Sequence, residues 1–302
     1  MRSVRGLAVV AMLVACGGGE HKGSSLVPSA PAGPADPALM RALLAKYSAS
    51  GNAIIAAVES LPPKLVMGNG WEVTVDPGAK FDNFLEDGAP ENTVRYITTG
   101  VHEVTHSYVS WMAFKLLADR GGVYGEGALA IPADGEPTLV PLTALFPTVE
   151  IDATFPADAR TFRYGEYVTP TDMRLGTQTY GIYGLLDDLR MPLAELEVYM
   201  LHYLVHAKQH RPDIYDAVVK NQPFRDAFNA VVDGYTALVA RAADLEPTVY
   251  AFARARGLDL EKRDGKIILD GRPLSAADRA PYDAILGYVD AEPYASMRAS
   301  LR

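Results

Sequence analysis

The chain has almost no cysteine, no long apolar segment after its first residues and no concentration of basic residues. Its 302 residues include one cysteine, Cys16, which excludes internal disulfides and sites built from several thiolates. Beyond residue 16 no apolar run is long enough to cross a bilayer as a helix. Lysine and arginine are scattered and the net charge is −9, which argues against a nucleic acid as the partner. Stability must come from packing, for which an apolar content of 49% is sufficient.

The amino-terminal residues predict export. Arg2 and Arg5 precede an apolar run, residues 7–15, that is too short for a permanent membrane helix. Residues 13–16 read LVAC, which resembles the lipobox of bacterial lipoproteins, in which the cysteine carries the lipid. We therefore predict that Cys16 is lipidated, with an ordinary signal peptide as the alternative.

Composition divides the chain into three regions. Residues 1–16 form the predicted lipoprotein signal peptide. Residues 17–36 are rich in glycine, serine, proline and alanine, which predicts a flexible tether. Residues 37–302 form the folded body, either one domain or two lobes that divide near residues 175–180. Because Gly17 follows the cysteine, the resemblance implies a lipid anchor in the cell envelope, in the outer membrane if the cell is Gram-negative.

Residues 102–106 read HEVTH, which is the HExxH pattern. On an α-helix, His102 and His106 lie one turn apart on the same face, so both imidazoles reach one ion. This pair suits Zn²⁺, and the adjacent Glu103 suits a general base that acts on water at the metal. With six histidines in the chain, a chance match is roughly a one-in-a-hundred event.

The neighbouring residues predict a long helix around this motif. Thr98 or Thr99 can cap its start and the Gly-Gly pair at 121–122 can end it, which predicts a helix over residues 98–119. A glutamate flanked by histidines in a buried helix is unfavourable without a partner such as a metal ion. This context favours a metal helix over an accidental match.

A catalytic zinc ion takes three protein ligands and one water, and the motif supplies two. Residues 177–188 read TQTYGIYGLLDD and place two acidic residues after an apolar helical stretch. Together with HExxH, this segment resembles a family of uncharacterised bacterial zincin-like proteins, in which a YGIYGLLDE-type segment follows the motif. The resemblance covers about residues 94–190. It implies a zincin-like metallopeptidase of gluzincin type whose acidic pair supplies the last ligand.

Asp188 matches the glutamate of that segment and is the predicted third ligand, with Asp187 as the alternative. Aspartate is one methylene shorter than glutamate, so its helix must approach the metal about 1–1.5 Å more closely. Two aspartates that merely face water on an amphipathic helix are the other interpretation. Tyr180 and Tyr183 precede the acidic pair and are candidates to stabilise an oxyanion, although tyrosines near core helices more commonly pack with a bonded hydroxyl.

The following helix contains rival candidates. Glu195 and Glu197 compete with Asp188 for the role of acidic ligand. His202, His206 and His210 are spaced four residues apart and can bind a second metal ion from one helical face. A row of histidines that is partly exposed near a helix end and binds no metal is commoner. The side chains on this face are Glu195, Tyr199, His202, His206 and His210.

The order of elements predicts a helix-rich α+β fold with a small antiparallel sheet, which suits a zincin-like catalytic domain. The predicted strands are residues 71–75, a hairpin of 128–132 with 138–142, residues 148–155, and residues 267–269 in a second hairpin. The predicted helices are residues 38–60 with a break near 50–51, 98–119, 180–190, 192–209, 224–243, 247–256, 282–288 and 295–301.

These features together predict a lipid-anchored zinc metallopeptidase that hydrolyses a peptide or protein substrate with metal-activated water. His102, His106 and Asp188 hold the zinc ion, while Glu103 takes a proton from the water and delivers it to the leaving amine. A catalytically degenerate zincin-like lipoprotein with a binding or structural role is the first alternative, motivated by the aspartate. An envelope scaffold or solute-binding lipoprotein with an accidental motif is the second.

Overall fold

The computed structural model describes residues 37–47, 49–75, 81–84, 93–133, 136–161, 163–188, 194–241, 259–263, 266–270, 284–285 and 287–302. The predicted signal peptide, the tether, Cys16 and the predicted helix at 247–256 lie outside these residues. Within the described ranges, no helix is both long and apolar enough to cross a membrane.

The chain is a helix-rich α+β protein, as predicted. The described α-helices are α1 (Pro37–Tyr47), α2 (Ala49–Glu59), α3 (Thr93–Asp119), α4 (Tyr164–Tyr167), α5 (Gly176–Tyr180), α6 (Ile182–Asp188), α7 (Ala194–His210), α8 (Pro212–Val219), α9 (Gln222–Arg241) and α10 (Tyr294–Leu301). The described strands are β1 (Lys64–Val66), β2 (Glu72–Thr74), β3 (Ala128–Ala133), β4 (Glu136–Pro141), β5 (Asp259–Arg263) and β6 (Lys266–Asp270).

The described strands pair as three separate antiparallel hairpins, β1 with β2, β3 with β4, and β5 with β6. In the second hairpin Ile131 lies opposite Thr138, so the predicted pairing of residues 128–132 with 138–142 is confirmed. The third hairpin places Glu261 opposite Ile268 and confirms the predicted strand there. The predicted strand at 71–75 corresponds to β2, and its partner β1 was not predicted.

Helix α7 forms the centre of the main apolar core. Every residue from Glu195 to Leu204 is buried, so this helix is covered on all sides rather than on one stripe. Helices α6, α8 and α10 pack directly against it. The same core takes in side chains from both sides of residues 175–180, for example Val109 of α3 and Leu201 of α7.

Helix α3 carries the HExxH motif and packs against α2, β3, α6 and the short 3₁₀ turn Phe81–Phe84. Val104, Val109 and Leu117 are 1% exposed or less, so the helix is held firmly by its apolar faces. It begins at Thr93, five residues before the predicted start, so the prediction that Thr98 or Thr99 caps it is wrong. Both threonines lie within the helix, where their moderate helix propensity is tolerated in a segment of 27 residues.

Residues 148–155 do not form the predicted strand. Thr148–Ile151 is a 3₁₀ turn and the chain continues in turns to Phe155. The Thr148 hydroxyl donates to the carbonyl oxygen of Tyr167 at 2.7 Å, and the Gln178 side-chain oxygen accepts from the backbone N–H of Val149 at 3.2 Å. The alternation of apolar residues predicted a strand, but a strand needs hydrogen bonds to a partner strand. Here the polar groups make tertiary hydrogen bonds that involve the side chains of Thr148 and Gln178 instead.

Candidate metal centre

The two histidines of HExxH lie side by side on α3, as their spacing requires. Their Nε2 atoms are 3.0 Å apart, and the ring centroids are 4.4 Å apart with the rings nearly perpendicular. Glu103 is partly buried on the same helix. Since successive helical residues are rotated by about 100°, its side chain leaves the helix beside the histidine face.

Helix α6 brings the acidic pair to these histidines from a segment 81 residues further along the chain. Asp188 Oδ1 lies 3.4 Å from His106 Nε2. Asp187 Oδ2 lies 2.8 Å from the other ring nitrogen of His106, Nδ1. The Asp187 carboxylate is buried, while the side chains of Asp188 and His106 keep exposed fractions of 13% and 21%, so solvent reaches the site.

Among the described residues, His102, His106 and Asp188 form one group of ligand atoms within 4.8 Å of one another. Ligands about 2.0–2.2 Å from a tetrahedral zinc ion lie roughly 3.3–3.6 Å from each other. The separations of 3.0 and 3.4 Å in this group fall within a few tenths of an ångström of that range. The shorter aspartate therefore reaches the site, and two imidazoles with one carboxylate make a donor set that fits Zn²⁺.

Two glycines explain how α6 approaches so closely. Gly181 separates α5 from α6 with φ +54°, a conformation that side-chain-bearing residues rarely adopt. A Cβ atom there would lie 2.3 Å from the carbonyl oxygen of Phe146. At Gly184 it would lie 2.4 Å from the carbonyl oxygen of Gly176, so α5 and α6 pack backbone to backbone. The glycines of the YGIYG segment thus set the position of the helix that carries the acidic pair.

The hydroxyl of Tyr183 is held by structural hydrogen bonds. The side chain is fully buried, and its oxygen accepts from the backbone N–H of Thr143 at 3.2 Å and from the Asn221 amide at 3.3 Å. We therefore assign Tyr183 to packing and not to an oxyanion. Tyr180 is half-buried, which raises the pKa of its phenol, and its proposed role in an oxyanion site stays a prediction.

The rival acidic residues on α7 are engaged elsewhere in ion pairs. Glu195 Oε1 lies 3.2 Å from Arg163 Nε, and Glu197 Oε1 lies 2.7 Å from Arg298 Nη2. Both carboxylates are buried, and a buried charge requires such a partner. Neither glutamate joins the His102 group.

The histidine row of α7 forms no second metal group among the described residues. His202 is buried, with Nδ1 2.9 Å from the Tyr294 hydroxyl and Nε2 3.0 Å from Thr154 Oγ1. His206 Nδ1 lies 3.0 Å from the same Thr154 oxygen, whereas His210 is exposed. These bonds connect α7 to α10 and to the turn after residue 151, which is a structural role.

Acidification is expected to destabilise the fold through His202. Burial, followed by the nearby His206, lowers the pKa of this imidazole from 6.5 to about 4. The unfolded chain therefore takes up a proton near pH 6.5 that the folded protein does not accept until about pH 4. The contribution of neutral His202 to the free energy of unfolding is fully present above pH 6.5. It falls by up to about 3 kcal/mol as the pH drops to 4.

Urea unfolding between pH 7.5 and 4 measures this loss. His202→Gln keeps a polar side chain that does not titrate, so it should flatten the slope of the free energy of unfolding against pH. His210→Gln, at an exposed position, should leave that slope unchanged. Equal slopes in the wild type and His202→Gln would contradict this assignment.

Comparison with known proteins leaves the site to be interpreted from its own residues. No protein-family model matches the chain, and neither a curated protein nor a solved structure matches it.

Proposed function

We propose that this chain is a zinc-dependent metallopeptidase with a zincin-like active site. The observation that carries the proposal is the convergence of His102, His106 and Asp188 from two distant segments, beside a glutamate at the position that HExxH chemistry uses. The HExxH motif alone, or the acidic pair of α6 alone, would be weak evidence for a metal site. A chance HExxH pattern has no reason to meet an acidic pair whose Asp188 oxygen lies 3.4 Å from His106 Nε2.

The residues of the site divide the work of peptide hydrolysis between them. The two imidazoles and the Asp188 carboxylate would hold a zinc ion, which would supply the Lewis acidity that polarises a scissile carbonyl and makes water a stronger nucleophile near neutral pH. Glu103 accepts the proton of the attacking water and delivers it to the leaving amine. The partial exposure of His106, Asp188 and Glu103 leaves the site open to solvent, as a hydrolytic site requires.

The cellular setting belongs to the same proposal. The lipobox-like residues 13–16 and the single Cys16 support a lipid-anchored enzyme of the bacterial cell envelope, in the outer membrane if the cell is Gram-negative. A peptide or protein is the substrate. The alternative of a degenerate binding protein was motivated by aspartate in place of glutamate, and the 3.4 Å approach of Asp188 to His106 weakens that motive.

Purified and zinc-reconstituted protein is expected to hold one zinc ion per chain. Asp188→Ala should weaken zinc binding by about 100-fold or more, because loss of an outer-shell partner alone weakens metal binding about 10–100-fold and this change removes a ligand. Elemental analysis by mass spectrometry gives the stoichiometry, and competition with a chromophoric chelator gives the affinity. Asp213→Ala, at an exposed position of α8, is the matched control. Iron in place of zinc, or no stoichiometric metal, would overturn the proposal.

A further inference from the structure

We propose that Asp187 is a positioning residue that orients His106 for metal binding, an inference that rests on the proposed zinc site. Adjacent residues of α6 approach the two opposite edges of one imidazole ring. Asp187 Oδ2 is 2.8 Å from Nδ1, and Asp188 Oδ1 is 3.4 Å from Nε2. The acidic pair therefore has two functions, and only Asp188 is a ligand.

The position of Asp187 excludes its oxygen Oδ2 from the ion that Nε2 would bind. The lone-pair directions of the two ring nitrogens diverge, so a group in line with Nδ1 lies on the far side of the ring from the metal. His102 Nε2 and Asp188 Oδ1 lie 3.0 and 3.4 Å from His106 Nε2, on the other edge of the ring. Asp187 was the alternative third ligand, and this geometry assigns that place to Asp188.

The hydrogen bond to Asp187 selects one tautomer of His106. A carboxylate only accepts hydrogen bonds, so Nδ1 carries the proton and donates it to Asp187 Oδ2. Nε2 then keeps its lone pair, directed toward His102 and Asp188. The negative charge also makes the imidazole a stronger donor to a cation.

Burial makes this contact a rigid one. The Asp187 side chain is 8% exposed, and α6 packs against both α3 and α7. The neighbouring glycines place α6 by close backbone contact, so the carboxylate has little freedom to leave the ring. A residue that locks the ring in this orientation lowers the entropy that zinc binding would otherwise have to remove.

Zinc affinity of the purified protein tests the role without any assay of catalysis. Asp187→Ala should weaken zinc binding about 10–100-fold, the usual effect of removing an outer-shell carboxylate. Asp187→Asn keeps the volume and an amide oxygen that can accept from Nδ1, so its loss should be smaller and its folding closer to that of the wild type. Asp213→Ala again serves as the surface control.

Cobalt substitution separates positioning from ligation. Co²⁺ bound to Asp187→Ala should keep the absorption bands of the wild type because the three ligands are unchanged, whereas Asp188→Ala should alter them. An Asp187→Ala variant that binds zinc within about twofold of a zinc-binding wild type would overturn this inference alone. A changed cobalt spectrum in Asp187→Asn would instead make Asp187 a ligand and overturn it as well. Wild-type protein that takes up no zinc would overturn the proposed function and this inference together.

Discussion

Glu103→Gln is expected to lower peptide hydrolysis by about 10²–10⁴-fold, the range that general acid–base catalysis contributes. Glutamine has nearly the same volume and keeps a polar side chain, but it cannot take a proton from water at neutral pH. The three ligand atoms come from other residues, so zinc content should stay at the wild-type level. Loss of turnover with retained metal would assign Glu103 to the chemistry and not to the fold.

A quenched-fluorescence peptide library is a suitable probe, since the substrate sequence is not specified by the site. Zinc content is measured on the same preparations. Glu166→Gln, at an exposed position of α4, is the matched control and should retain full activity. An active wild type with an equally active Glu103→Gln variant would reject the assigned mechanism. A zinc-loaded wild type that cleaves no member of the library would favour the degenerate binding protein.

Gly181→Ala is expected to destabilise the fold by about 4 kcal/mol or more. One contribution is the backbone, because φ +54° and ψ −125° at this position are open to glycine and strained for alanine. The other is steric, since the new Cβ would lie 2.3 Å from the Phe146 carbonyl oxygen and 2.8 Å from the Tyr203 hydroxyl. That carbonyl cannot move easily, because it accepts a hydrogen bond from the same hydroxyl at 2.8 Å.

The control for Gly181→Ala is Gly165→Ala on α4. The added methyl there meets no atom within 4 Å, and alanine favours the helix. Urea unfolding of both variants should give a large loss for the first and little change or a small gain for the second. Gly181→Ala should also weaken zinc binding, because any shift of α6 moves Asp188. Similar unfolding free energies for the two variants would show that α6 adjusts freely and that the glycine is not required.

The candidate metal centre was predictable where its geometry is local. His102 and His106 share a helical face through their spacing alone, and an Asp-Gly pair between two short runs of strand-forming residues predicts a hairpin through backbone preferences alone. The strand predicted at 148–155 was wrong, because whether alternating residues form a strand depends on a partner elsewhere in the chain. Helix α8 was not predicted, although it begins at Pro212 and proline is common at the first helical position.

The sequence by itself determined the pair of imidazoles on one helical face, the adjacent glutamate, the acidic candidates and the α+β class, because each depends on residue type and short spacing. Only the tertiary structure decided which carboxylate faces which nitrogen of His106, that Glu195 and Glu197 are bound to arginines, and that Tyr183 is committed to Thr143 and Asn221. The contacts of the two aspartates and of Tyr183 depend on the packing of α6 against α3 and α7, whereas the two ion pairs depend on how α7 meets Arg163 and Arg298. No pattern within α6 encodes the position of its neighbours.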